Sequence, residues 1–169
     1  MDARLKSLIT LAALGVLLSV AAVWGWASLT KPFPTSEESV CVDRTFEAGE
    51  KVMRGDVTVS VLNAGSRNGL ASLTMNLFEE QGFGVGQEGN ASDAKVNRVQ
   101  IWTDDRRNPA VQLVKSHLGK GTPVLEKDAT TAGVQVVVGD GFQDLVKGKK
   151  SVKATDAFTV CGPPAEPTV

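Results

Sequence analysis

Two short stretches carry the residues best suited to chemistry. Val59–Asn68 reads VSVLNAGSRN and Val99–Asn108 reads VQIWTDDRRN, and the two align without a gap at an offset of 40 residues. Val59 pairs with Val99, Arg67 with Arg107, Asn68 with Asn108 and, further on, Leu73 with Leu113. Each stretch runs from a strand pattern through a polar turn into a helix pattern. A helix N-terminus has free N–H groups and a partial positive charge, which suits an anion. Asn63, Arg67, Asn68, Arg106, Arg107 and Asn108 are therefore the candidate ligand-binding residues, for a phosphate or carboxylate. Asp104 and Asp105 oppose that use. The other reading of the same residues is structural: Asn, Gly and Ser serve as turn and cap residues.

Nucleotide loops do not fit. No Gly-Lys-Ser/Thr follows the first turn, and NAGSRNG lacks the dinucleotide glycine spacing. Catalytic sets are equally thin. His117 is the sole histidine and lies on a helix pattern beside Leu113, Val114 and Leu118, so it reads as a packed or surface residue rather than a base. Glu79–Glu80 and Asp104–Asp105 are sequence neighbours, which on a helix do not share a face. Two cysteines and one histidine are too few for a closed zinc site. The expectation is no catalytic residue, no metal and no cofactor. The net charge of −1 gives no general case for nucleic acid. Asn90-Ala91-Ser92 matches the glycosylation pattern, which matters only in a secretory host.

The elements that must hold these residues follow from the pattern. Val57, Val59 and Val61 alternate with Thr58, Ser60 and Leu62 as a strand, and Leu70, Leu73, Leu77 and Phe78 follow at helical spacing, with Asn68 as the expected cap. QGFGVGQEGN ends that helix at Gly82 and holds a short strand. NRVQIWT is a strand, and NPAVQLVKSHLG a helix with Asn108 as cap, Pro109 at the first position and Gly119 as stop. GVQVVVGDGF is a covered strand, and QDLV adds a helical turn. The order β-α-β-β-α-β predicts an α/β (α+β) domain of the split, ferredoxin-like kind. In the arrangement expected, the first and third strands are parallel neighbours, so that both loops leave one sheet edge.

The chain around this domain has its own signals. No charge occurs between Lys6 and Lys31, a window of 24 mostly apolar residues with Trp24 and Trp26 near its end. About 20 such residues span a bilayer as a helix. With Arg4 and Lys6 before the window, the positive-inside rule sets residues 1–6 in the cytoplasm, 7–30 in the lipid bilayer as a transmembrane helix and the rest outside, a single-pass protein of the cell membrane. A cleaved signal peptide is the alternative, GWA offering small residues for such a site. Residues 31–55 read as a Pro- and Ser-rich linker and incoming arm, 56–146 as the domain, and 147–169 as a basic run with a proline-rich tail. Cys41 and Cys161 sit at opposite ends of the outer segment. In an oxidising compartment they have one possible intramolecular disulfide; two buried thiols are the alternative.

VSVLNAGSRNGLASLTMNLFEEQGF, VNRVQIWTDDRRNPAVQLVKSHLG and VQVVVGDGF together resemble the LytR C-terminal domain of actinobacterial envelope proteins, over about 57–145. The strand with LNAGSRNGLA and the closing VVVGDGF are the strongest parts. In that family the domain stands behind a LytR-CpsA-Psr ligase domain or alone behind one transmembrane helix, and this chain resembles the stand-alone form. The resemblance implies a non-enzymatic, extracytoplasmic accessory or scaffolding role in cell-wall assembly. The partners it implies are a cell-wall glycan or anionic envelope polymer, or a LytR-CpsA-Psr ligase. A cell-wall-modifying enzyme and a purely structural oligomerisation module are the alternatives.

Overall fold

The computed structural model describes residues 3–29 and 41–164. The two fall in separate compact units, 1–37 and 38–169. The linker expected after residue 30, up to residue 40, and the last five residues of the tail lie outside the described residues.

The first unit holds one helix, α1 (Ala3–Leu29). Its side chains at 11–26 are all exposed, among them Leu17, Leu18, Val23 and Trp24. Among the described residues no helix is long and apolar enough to cross a membrane.

The second unit is a mixed α+β domain. Its centre is a five-stranded sheet of β3 (Thr58–Asn63), β4 (Gly84–Asn90), β5 (Val99–Thr103), β6 (Val124–Glu126) and β7 (Val134–Val138), in the order β4-β3-β7-β5-β6. Helix α2 (Leu70–Glu80) connects β3 to β4, and α3 (Pro109–Leu118) connects β5 to β6. In both units the joined strands are adjacent and parallel. The 40-residue repeat thus corresponds to two βαβ units flanking one shared strand, β7. That strand is parallel to β3 and antiparallel to β5. All five β7 residues are buried, as its run of valines requires for a strand covered on both faces.

This topology overturns the ferredoxin-like expectation. The strands carrying the two loops are not parallel neighbours: β7 separates them and they run in opposite directions. The strand completing the second βαβ unit is β6, which the sequence reading missed. Its three residues, Val124–Glu126, are too few to show a period. The Gln143–Val146 stretch forms no helical turn.

Both helices bury their apolar stripes in one core, so both lie on the same sheet face. Leu70, Ala71, Met75 and Phe78 from α2 meet Val111, Leu113, Val114 and Leu118 from α3 over Val59, Val61, Ile101 and Val136. The stripe of α2 is rotated from the expected one: Ala71, Thr74, Met75 and Phe78 point inward, while Leu73 is 45% exposed. Leu113, its counterpart in the repeat, is fully buried. The equivalence of the two units therefore stops at the helix surfaces.

The arms on either side are strands, not coil. β1 (Val42–Phe46) pairs antiparallel with β9 (Phe158–Gly162), and β2 (Lys51–Met53) with β8 (Ser151–Lys153). Phe46 and Phe158 face each other across the first ladder and stack at 5.5 Å. β8 lies within the basic run, so that run is only partly a solvated face. Cys41 and Cys161 form a disulfide, with Cα atoms 5.3 Å apart and a sequence separation of 120. It closes the loop that contains the entire domain.

Closing a loop of that length stabilises by about 4–5 kcal/mol in the chain-entropy account. The double change Cys41→Ala with Cys161→Ala is therefore expected to lower the unfolding midpoint in urea without altering the far-ultraviolet circular dichroism. An unchanged midpoint would mean that the paired arms alone hold the ends.

Candidate functional site

The first loop follows β3. Asn63 closes it from within: its side-chain Oδ1 accepts from Gly65 N at 2.8 Å, and its Nδ2 donates to Arg67 O at 2.8 Å. The N–H groups beyond point at an anion, but the anion is the protein's own. Asp140 accepts from Ser66 N at 2.8 Å, Ser66 Oγ at 3.0 Å and Arg67 N at 3.0 Å. The Arg67 guanidinium donates to Phe142 O at 3.0 Å. The reason is the parallel pairing of β3 with β7. Asn63 stands beside Val138, so the segments following both strands emerge together.

The fit leaves no room for side chains at the contact. A Cβ on Gly65 would be driven into the Asp140 carboxylate and within 2.8 Å of its amide nitrogen. A Cβ on Gly139 would collide with the carbonyl of Val96. The hydrogen bonds from Ser66 N, Arg67 N and Ser66 Oγ hold the Asp140 carboxyl below its ordinary value of 3.8, assisted by the Arg67 charge and opposed by desolvation.

The second loop repeats the device in a smaller form. Asp105 accepts from Arg107 N at 2.8 Å through its side chain, and its backbone N–H donates to Thr103 Oγ1 at 3.1 Å. Asn108 caps α3, its Oδ1 accepting from Ala110 N at 2.9 Å, with Pro109 in the first turn and Gly119 at the end as expected. Arg106 lies 3.6 Å from Glu126 in an exposed pair, and Arg107 lines a cleft of about 520 Å³ with Gln112, Asp156 and Phe158.

The six candidate residues therefore do not form one site. Val99, at the start of β5, is level with Val138 and so with Asn63, whereas Thr103 lies at the other end of the sheet. The strand between sets the two loops about 13 Å or more apart along its axis, on opposite edges. Asn63, Arg67 and Asn68 belong to one edge; Arg106, Arg107 and Asn108 belong to the other. Asn68 also differs from expectation, since the N-cap of α2 is Gly69, in the left-handed region at φ 74°, with no side-chain cap. The Asp140 contacts to Ser66 and Arg67 hold the turn that leads into Gly69.

His117 is buried. Its Nε2 donates to Lys149 O at 3.0 Å, and the ring meets Phe83 edge to face at 5.1 Å. Burial pushes its pKa down; the Lys149 carbonyl opposes this and the Arg54 charge assists it. The neutral ring clamps the segment after β7 to α3. Among the described residues no group of three His, Cys, Asp or Glu could hold a metal ion.

Two outcomes test this account. Asn108→Ala is expected to cost about 1 kcal/mol of stability, the usual worth of such a cap, and Asn68→Ala less than about 0.5 kcal/mol, both read from urea midpoints. For Asp140, a folded pKa below the unfolded one contributes stability that is present above pH 3.8 and lost as the pH falls through the folded value. Asp140→Asn should therefore melt below the parent at pH 6, and the gap should narrow as the medium is acidified below about pH 4. A gap independent of pH would show that the carboxylate charge is not what holds the loop.

A solved structure, the soluble domain of a conserved hypothetical secreted protein from Mycobacterium marinum, aligns at 21% identity with a TM-score of 0.49, over 61% of this chain and 79% of that one. A comparison with curated proteins finds no match. The family profile described as LytR cell envelope-related transcriptional attenuator matches residues 56–142, from the turn before β3 to the buried Phe142 that follows Asp140. With just over half of its length in that match, the chain belongs to the LytR C-terminal domain family.

Proposed function

We propose that this chain is a non-enzymatic, single-pass membrane protein whose extracytoplasmic domain serves as an accessory or scaffold in assembly of the cell envelope. The observation that carries the reading is that a family domain of the envelope type follows a helix exposed on every side. The side chains of α1 from 11 to 26 are all exposed although the stretch is largely apolar. A helix apolar all round needs a cover that water does not provide. The uncharged window from residue 7 to 30 is long enough for the bilayer to be that cover. Arg4 and Lys6 favour the cytoplasm for the N-terminus. The Cys41–Cys161 disulfide suits an oxidising exterior.

The partner in this reading is a wall polymer, with a LytR-CpsA-Psr ligase as the second candidate. A purely catalytic role has less support. The sole histidine is buried and engaged through Nε2, Asp140 accepts from the backbone of the loop after β3, and Asp105 accepts from the backbone of its own loop.

The test is topological first. Protease added to wall-stripped cells is expected to remove the domain, whereas full protection of residues 40–169 would reverse the orientation. The full-length protein in detergent micelles is then expected to sediment with purified wall sacculi. Failure to do so would remove the polymer and leave the ligase.

A further inference from the structure

Positive charge gathers on one segment of a chain whose net charge is −1. Residues 147–153 read KGKKSVK, four lysines with no acid among them, and all four are exposed. β8 forms the end of this run and pairs with β2, so that Lys153 stands directly opposite Lys51. Val52, between Lys51 and Met53, is fully buried, so strand alternation turns Lys51 and Lys153 outward together. Like charges directly opposite in a ladder are destabilising. Nothing offsets that cost here. Among the described residues, the side chains of all five lysines have neither an ion pair nor a hydrogen-bond partner.

The backbone that carries these lysines is anchored. Val146 N donates to His117 O at 2.8 Å and Lys149 N to Ser116 Oγ at 2.9 Å, while Lys149 O accepts from His117 Nε2 at 3.0 Å. Gly148 brings the chain against the imidazole, where a Cβ would be driven into the ring. The run is therefore tied to α3 at its start and to β2 at its end. A preset array binds with less loss of freedom than a flexible tail does. The acids nearest in sequence are turned to backbone donors. Glu50 accepts from Glu47 N at 2.6 Å and Asp144 from Leu145 N at 2.7 Å, and neither pairs with a lysine.

The arrangement narrows the occupant. Lysine is a point charge with three rotatable donors, which meets anionic oxygens without fixing their orientation. The chain from Lys147 to Lys153 spans up to about 20 Å. A line of charge that long exceeds a single phosphate or carboxylate and suits a chain on which negative groups recur. Apolar anchoring is slight: Met53 and Val146 are the large apolar side chains exposed beside the lysines, too few for an amphipathic face that enters a bilayer. We infer that Lys51 and the run Lys147–Lys153 form a binding track for a linear polyanion of the envelope. This rests on the reading of the domain as a wall-polymer binder and gives it a site and a ligand class. It moves anion recognition from the arginine loops to the β2–β8 ladder and the segment before it.

The test uses the full-length protein in discs of neutral lipid, titrated with linear polyphosphate and with inorganic phosphate at equal total phosphate. Polyphosphate should bind saturably and on the order of a hundredfold more tightly than inorganic phosphate, with affinity falling as salt rises. The double change Lys149→Gln with Lys150→Gln should weaken binding about tenfold and flatten the salt dependence, with the thermal midpoint unchanged. Lys153→Glu should weaken binding yet raise the thermal midpoint, because it turns a like-charged pair into an opposite one. Parent-like affinity in both lysine variants, or equal affinity for inorganic phosphate, overturns the track. An equal loss with Arg107→Ala also overturns it and returns recognition to the loops. Capture of the discs by phosphatidylglycerol vesicles without any binding of polyphosphate would assign the lysines to a membrane surface and sink the polyanion. If polyphosphate fails to bind while the protein sediments with wall sacculi, the track is wrong and the polymer-binding reading stands. If the protein does not sediment, the polymer-binding reading fails, and the polyphosphate titration decides the track separately.

Discussion

The Asp140 carboxylate, set into the loop after β3, is the contact on which the surrounding structure depends. It ties together two segments more than 70 residues apart in sequence by using N–H groups of the turn between β3 and α2. It forms because β3 and β7 are parallel and in register, so that both exits lie side by side. It in turn fixes the route of the loop, requires a glycine at position 65 and places Arg67 on the carbonyl of Phe142. A polypeptide that brings its own anion to such a loop has little left for a phosphate from outside.

The second constraint is the sense of β5. Two βαβ units on one sheet can put their loops on the same edge or on opposite ones, and the decision rests with the strand between them. Here β7 accepts β3 in parallel and β5 in antiparallel, so the Arg67 and Arg107 loops are carried to opposite edges. Any ligand touching both would have to reach along the sheet. The same arrangement puts both helices on one face and leaves the other to Leu62, Val137 and Trp102.

The arms give the domain a boundary wider than its core motif. β1 with β9 and β2 with β8 bring the two ends of the second unit together, and the disulfide fixes them. For a domain that follows a helix in a separate compact unit, closing the ends limits fraying where the chain enters and leaves.

The sequence by itself determined what depends on near neighbours. The alternating valines of β3, the cap and stop of α3 at Asn108 and Gly119, and the strand at 134–138 all come from local period and local hydrogen bonding. The 40-residue echo correctly marked two strand–loop–helix units. It said nothing of their relative direction, because the same period describes a strand running either way. Tertiary structure decided the rest. It placed β7 between the two units and recruited the three residues of β6. It rotated α2 so that Met75 rather than Leu73 is buried, and moved the α2 cap from Asn68 to Gly69. It also turned Asp140, an unremarked acid between two glycines, into the ligand of the first loop. Each of these depends on which distant segment lies alongside, and a partner 70 residues away leaves no mark on local spacing.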